Sequence, residues 1–460
     1  MKLTIHRGSK QIGGSCVELQ ASNGNRILLD AGMPLTQKDG SDWPRGTMNR
    51  KSEELRAEGV LPDIDGLFAG STPKFSALVL SHAHLDHHGL AHHIHPDIPI
   101  YASRGTIEML KVSQIFVPDA VVPENIHELP YADVTIDSFA VRGIPVDHVA
   151  PDSRALLVEA DGQRVLYSGD LRAHGRHPEL FDELPAAAGR VDVLILEGTT
   201  VGQQEGAHGF PGELDVEARL FDLLKHEPGI VVVIASGQNI DRAVSVYKAA
   251  MAAGREFVMD AYQAYVHLIL KELCPEAPQS DWESVRVKFV SYHVKKLKEA
   301  GLYRNACKMS RDGKVSVDQL AATPGKFVYL ARANGATSAL LRKLGKAVKP
   351  VVVWSQWSGY LKKGGAFLEF CEKNGIKPLP IHSGGHAHPE DLVRLASRLR
   401  PGVVVPIHTE AAAQFKALMP NVVQIEDGKV VEITSLLNVL SGGNIEPRAS
   451  LVQEKSCDHK

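Results

Sequence analysis

The run Ser81-His82-Ala83-His84-Leu85-Asp86-His87-His88-Gly89 governs the interpretation of the whole chain. It follows Ala77-Leu78-Val79-Leu80, an apolar stretch of strand character. His82 and His84 are two residues apart, so in extended backbone both side chains point to the same side. Asp86 and His87 follow as the chain turns, and they present a carboxylate and an imidazole to a neighbouring position. Neutral imidazole is the commonest protein metal ligand. Structural zinc sites mostly use thiolates and are closed, whereas a His/Asp set leaves room for water, the catalytic pattern. Four such side chains this close together can seed two adjacent metal sites. For the nearby His92, His93 and His95, a surface helix is the simpler expectation.

Further along the chain, ligand-type residues recur in one context, just after an apolar run. Asp30 follows Ile27-Leu28-Leu29. His148 follows Ile144-Pro145-Val146-Asp147, and Asp170 follows Leu166-Tyr167-Ser168-Gly169. Glu197 follows Leu194-Ile195-Leu196, and His408 follows Val403 to Ile407. An Asp after a strand is by itself an ordinary turn residue. Strands that all end along one edge would bring these groups into one cleft.

The chain has 460 residues, enough for two or three domains. With 44% hydrophobic and 23% charged residues it is neither disordered nor a fibrous repeat. The net charge of −3 excludes a globally positive field. Charge is nevertheless segregated: between Val285 and Lys349, fifteen Lys/Arg face three acids. Such a stretch is either a solvated basic face or the footprint of a polyanion. The five cysteines are scattered and never in CxxC spacing, which argues against a disulfide framework and fits a reducing compartment. No apolar run approaches the roughly 20 residues needed to span a bilayer, and the start has no signal-peptide core. A cytoplasmic protein without a membrane partner is expected.

Residues 1–198 read as short apolar runs punctuated by Gly, Pro and Asp, the pattern of buried strands. From about Gly209 the rhythm changes to strand–helix alternation, which predicts a parallel sheet with crossover helices. Glu213 to Lys225 and Asp241 to Ala253 are helix candidates. Ile230 to Ala235, Phe257 to Asp260, Lys326 to Leu330 and Val351 to Trp354 are strand candidates. After about Gly375 the first rhythm returns. The expected organisation is a first domain in two parts, 1–198 and 376–440, interrupted by an insertion at 199–375 and followed by a polar tail at 441–460.

The HxHxDH run, with Asp30 before it and His148 and Asp170 after it, resembles the metallo-β-lactamase superfamily. Leu196-Glu197-Gly198-Thr199-Thr200, His382-Ser383-Gly384-Gly385-His386-Ala387 and Pro406-Ile407-His408-Thr409-Glu410 resemble motifs A, B and C of its β-CASP nuclease subgroup, most like ribonuclease J and the polyadenylation-cleavage endonucleases. Ala235 to Arg242 is similar to a segment of that subgroup's inserted domain. The implied fold is α/β: a metallo-β-lactamase αββα sandwich with an inserted β-CASP α/β domain.

The resemblance also implies roles. One zinc ion would take His82, His84 and His148, and a second would take Asp86, His87 and His408, with Asp170 bridging; Mn²⁺ is the alternative metal. Asp30 would orient a ligand and the hydroxide, and Asp86 would take part in the chemistry as well as in binding. Glu197 would support a metal-ligating histidine or hold the attacking water. His386 would be the general acid, with His388 its competitor. Motif B commonly carries a serine where this chain has Gly384; Ser383 would stand in for its phosphate contact, and Gly384 and Gly385 would let backbone amides approach. Ser236, Arg242 and Ser355 are further phosphate or RNA contacts. The implied activity is metal-dependent hydrolysis of RNA, single strands favoured, from the 5′ end, internally or both, through a hydroxide bridging two metal ions. A DNA nuclease of the same fold, a small-molecule metallo-hydrolase and a non-catalytic RNA scaffold are the competing functions, and a homodimer is one assembly left open.

Overall fold

The computed structural model describes residues 1–118, 120–203, 212–345 and 348–440. The polar tail expected at 441–460 lies outside the described residues. Two sheets face each other. The first runs, in spatial order, Val430–Glu432, Lys2–Arg7, Cys16–Gln20, Arg26–Leu29, Ala77–Val79, Ile100–Ala102 and Ile126–Glu128. The second runs Val403–Ile407, Val193–Glu197, Gln163–Tyr167, Arg154–Ala160, Phe139–Pro145 and Val134–Ile136.

Strand alternation explains why these runs are apolar throughout. Ile27 and Leu29 point into the core between the sheets, where they join Val158, Val165, Val193, Ile195 and Val405. Leu28 points the other way, into a cluster with Leu55 on the helix Ser52–Ala57. Leu166, Leu194 and Val404 face outward against the helices Pro178–Ala188 and Pro389–Leu399. A strand covered on both faces needs apolar side chains at every position. The result is a helix–sheet–sheet–helix sandwich.

A third sheet is parallel throughout, in the order Lys314–Val315, Val285–Lys288, Glu256–Asp260, Phe327–Ala331, Val231–Ile234, Val351–Trp354 and Leu379–Pro380. Val231 and Val233 pack with one layer of helices, and Val232 and Ile234 with the other. Asn239 and Asp260 accept from Arg242 N and Gln263 N, capping the helices Ile240–Ala252 and Ala261–Leu270. Leu379–Pro380 begins four residues beyond the sequence boundary at 375 yet still pairs in this sheet. The chain then re-enters the second sheet, where Glu197 stands opposite Ile407. That parallel register sets His408 beside the motif around Glu197.

Candidate metal centre

The site stands on strand ends that share one edge. Asp30 leaves Arg26–Leu29, and His82 and His84 follow Ala77–Val79, two parallel neighbours. Asp170, Glu197 and His408 leave three consecutive parallel strands of the second sheet. Asp30 and His408 have φ of +59° and +54°. A non-glycine residue in this region is strained by about 1–3 kcal/mol and persists where its surroundings hold it, typically at functional sites.

Two clusters of ligand-type atoms form on either side of one carboxylate: His82, His84, His148 and Asp170, and Asp86, His87, Asp170 and His408. In the first, His84 Nδ1 lies 3.1 Å from both His82 Nε2 and His148 Nε2. Burial drives all three imidazoles below their ordinary pKa, and each also faces another imidazole. Both effects favour the neutral form, which presents a lone pair to a metal. In the second, Asp170 Oδ1 accepts from His408 Nδ1 at 2.7 Å, and Asp170 Oδ2 lies 3.1 Å from His87 Nε2. His408 Nε2 lies 3.4 Å from Asp86 Oδ2. Burial opposes charge here too, but the carboxylates prevail. They push His408 up to about 10 and His87 well above its ordinary range, while the histidines hold Asp170 well below its own.

These residues fit divalent ions. His87 Nε2 and His408 Nε2 are buried beside carboxylate oxygens at 3.1 and 3.4 Å without a well-aligned hydrogen bond, and an unsatisfied buried polar group costs about 1–3 kcal/mol. Tetrahedral ligands about 2.0–2.1 Å from zinc lie about 3.3 Å apart, close to the nitrogen spacings of the first cluster.

The supporting contacts are buried as well. Asp30 accepts from Ser81 N, Ser81 Oγ, His87 Nδ1 and Tyr167 Oη at 2.7–2.8 Å. A carboxylate on Nδ1 turns the other imidazole nitrogen of His87 toward Asp170, the usual support for a ligating histidine. His148 Nδ1 donates to Gly385 O at 2.6 Å. A side chain at Gly385 would press on Val149 and on His148 itself at 3.2–3.4 Å, which is why glycine stands there.

Glu197 lies against His386. Both its oxygens lie 3.2 Å from His386 Nδ1, and they also accept from Leu171 N and Thr199 N. It supports the acid candidate, and with His386 and Asp170 it forms a further group of ligand-type atoms. His386 is partly exposed, 3.8 Å from Asp170 Oδ2. Burial lowers its pKa, but Glu197 and Asp170 outweigh this and raise it. His388 sits elsewhere, stacked on His174 with ring centroids 4.4 Å apart and planes 19° apart. With Asp391 these two make a third cluster, but ring lone pairs in near-parallel planes do not converge on one ion.

The expected RNA contacts separate. Ser236 is exposed. Gly384 and Gly385 are half-buried, but their carbonyls are engaged: Gly384 O accepts from Arg172 Nη1 and faces His174 Nε2, and Gly385 O takes His148. Ser383 is fully buried. Arg242 and Ser355 are corrected: both are buried and turned inward. Arg242 pairs with Glu213 at 2.7 and 3.1 Å and donates to Ser355 O, Ser355 Oγ and Ser383 O. The reason is Glu213, which the helix pattern places at a helix start but not against a helix 29 residues away. Arg172 extends this buried network to Asp147, Asp241 and Glu213. Sequence reasoning missed Arg172, Asp147, Glu213 and Tyr167; the signal was that Asp147 adjoins His148 and that Tyr167 and Arg172 lie within three residues of Asp170. His92 and His93 point at Met48 O, a structural role.

The family comparison agrees with this geometry. A model of the family described as "Beta-lactamase superfamily domain" matches residues 25–234. Over those residues, a little under half its length, the chain is similar to the metallo-β-lactamase superfamily. The chain is 28% identical to the ribonuclease J of Sinorhizobium meliloti over 207 residues, 44% of this chain and 36% of that one. It is 26% identical to the ribonuclease J of Pyrococcus abyssi over 243 residues, 49% and 51%. A longer match, 23% over 418 residues, covers 85% of this chain and 70% of the ribonuclease J of Mycolicibacterium smegmatis. The first two matches thus span about a third to a half of those relatives. A solved structure, described as a protein of unknown function from Enterococcus faecalis V583, superposes with a TM-score of 0.72 at 22% identity, covering 94% of this chain and 99% of that one. The chain shares that fold over nearly its whole length.

Proposed function

We propose that this protein is a metal-dependent ribonuclease that hydrolyses RNA phosphodiester bonds to 5′-phosphate and 3′-hydroxyl products, at the 5′ end, internally or both. One observation carries the proposal: the Asp170 carboxylate is shared by two His/Asp clusters and has the Glu197–His386 pair beside it. The ribonuclease J relatives support the choice of RNA. His82, His84 and His148 would hold one ion, Asp86, His87 and His408 the other, and Asp170 both; zinc suits this donor set, and Mn²⁺ is the alternative. Divalent ions so held supply an acidified water and neutralise phosphoryl oxygens.

The protein's own groups do the rest. Asp30 fixes the tautomer of His87, and Gly385 O fixes that of His148. Glu197 keeps a proton on His386 Nδ1, so Nε2 is the edge that can protonate the leaving 3′ oxygen. The partner is single-stranded RNA, and the same proposal places the enzyme in the cytoplasm; among the described residues no helix is long and apolar enough to cross a membrane. The division into 1–198, 199–375 and 376–440 is part of this proposal, with the insertion closing over the strand. The test is turnover of end-labelled RNA carrying a 5′-monophosphate or triphosphate, with DNA in competition and with Zn²⁺ or Mn²⁺ supplied. RNA cleavage is expected; folded, metal-loaded protein that leaves RNA intact overturns the proposal.

A further inference from the structure

We propose that Trp357 and Tyr360 form a stacking platform for unpaired bases of the substrate strand; this rests on the nucleic-acid function proposed above. Both rings are about half exposed, at 49% and 51%. They meet edge to face with centroids 5.5 Å apart. Single exposed aromatics are ordinary on protein surfaces, but two held against each other in a fixed turn are not. Tyr360 N and Trp354 Nε1 both donate to Trp357 O, which ties the turn to the sheet. The platform is therefore ordered before any base arrives.

Its place in the fold ties it to the metal cleft. The turn follows Val351–Trp354, whose neighbour Leu379–Pro380 runs directly into the His382–His386 motif. One guanidinium, that of Arg242, binds Ser355 O and Ser383 O. At about 3.5 Å per residue, Trp357 lies within about 7 Å of Ser355 and His386 within about 11 Å of Ser383, backbone to backbone. From the other side Lys363 pairs with Asp42. Asp42 belongs to the segment that leaves Arg26–Leu29 and passes Leu35, which lies with Asp86 against Gly13. The platform is thus linked to the metal-site loop through Arg242 and to the segment that carries Leu35 through the Lys363–Asp42 pair.

The segment carries no charge that opposes a polyanion, although Lys363 is already paired with Asp42. No acid occurs from Ser355 to Phe367, and Lys362 and Lys363 close the short helix. A phosphodiester strand is complemented by such a segment. Base–aromatic stacking contributes about 1–3 kcal/mol per base and tolerates any sequence, so the site would favour unpaired strands without reading them.

The test uses metal-loaded protein with His386→Ala throughout, to slow cleavage. Binding of a 12-mer oligouridylate is compared with an abasic 12-mer of the same backbone, and tryptophan emission is followed. The expected result is tighter binding of oligouridylate with quenched emission. In added W357A or Y360A the preference should fall about tenfold or more, and W357F should retain most of it. An unchanged preference in both alanine variants, with both oligomers bound, overturns the platform, leaves the RNA function standing and turns attention to a protein partner as occupant. Failure of both oligomers to bind the protein with both aromatics intact overturns the RNA function, and the platform with it.

Discussion

Replacing Arg242 by methionine should unseat the joint between the inserted sheet and the metal-site loop. Its guanidinium is wholly buried and bridges Glu213, Ser355 and Ser383. Methionine fills similar volume but leaves Glu213 with only Ser245 Oγ at 3.0 Å and Arg172 at 3.5 Å. Removing one member of a buried ion pair costs about 3–5 kcal/mol, because the other charge stays desolvated. Removing both is far milder, so Arg242→Met with Glu213→Gln should recover at least about 2 kcal/mol over the sum of the single losses.

Acid titration gives an independent measure. Burial pushes the Glu213 carboxyl up, but Arg242 and then Arg172 outweigh it and hold it at about 2, against an ordinary 4.5. A depressed carboxyl stabilises the fold above its unfolded pKa and loses that contribution as pH falls through the folded value. At 1.36 kcal/mol per pKa unit the contribution is about 3 kcal/mol, lost between pH 4.5 and 2. Urea unfolding of metal-loaded protein at pH 7, 4 and 3 reads both effects, and the acid loss should be much smaller in the methionine variant. The same variant should lose RNA cleavage while keeping its metal. A single-variant loss below 1 kcal/mol, or strict additivity with Glu213→Gln, would refute the reasoning.

His386→Ala should lower RNA cleavage by about 10²–10⁴-fold with metal content unchanged; a p-nitrophenyl phosphodiester, whose leaving group needs no proton, should lose much less. Asp170→Asn should lower bound metal, measured by elemental analysis of purified protein, because both clusters share that carboxylate. In Gly32→Ala the new Cβ would fall 1.7 Å from Asp86 O, so the loop carrying Asp86 and His87 must move; reduced metal retention and a lower melting temperature are expected. Chelation should lower the melting temperature of the unaltered protein, since ions that bind only the folded site stabilise it by mass action.

Local chemistry made much of this legible, and long-range pairing hid the rest. The apolar runs Arg26–Leu29, Val193–Glu197, Val231–Ile234 and Val403–Ile407 all became strands, since runs of such residues buried on both faces have few other stable forms. The ligand-type residues after them converged because parallel neighbours end at the same edge. Arg242 was illegible by the same logic. On a helix pattern an arginine belongs to the solvent side, and only the sheet order brings Glu213 and Ser355 to it. Tyr167 likewise looks like the end of a strand, until its hydroxyl is found 137 residues away on Asp30.

A common cause connects these failures to the site itself. Asp30, Asp170, His87 and His408 are fully or almost fully buried, and burying charge is unfavourable unless partners are fixed. The fold fixes them with groups that are not themselves ligands: Ser81 and Tyr167 on Asp30, a glycine carbonyl on His148, and the Arg172–Arg242 network behind the His382–His386 loop. The motif residues therefore name the chemistry, and unremarkable residues set its geometry. On that account a conservative change at Tyr167, such as Phe, should weaken metal retention through Asp30 and His87 while leaving every ligand in place. Unaltered metal affinity in Tyr167→Phe would show that the hydroxyl only fills space.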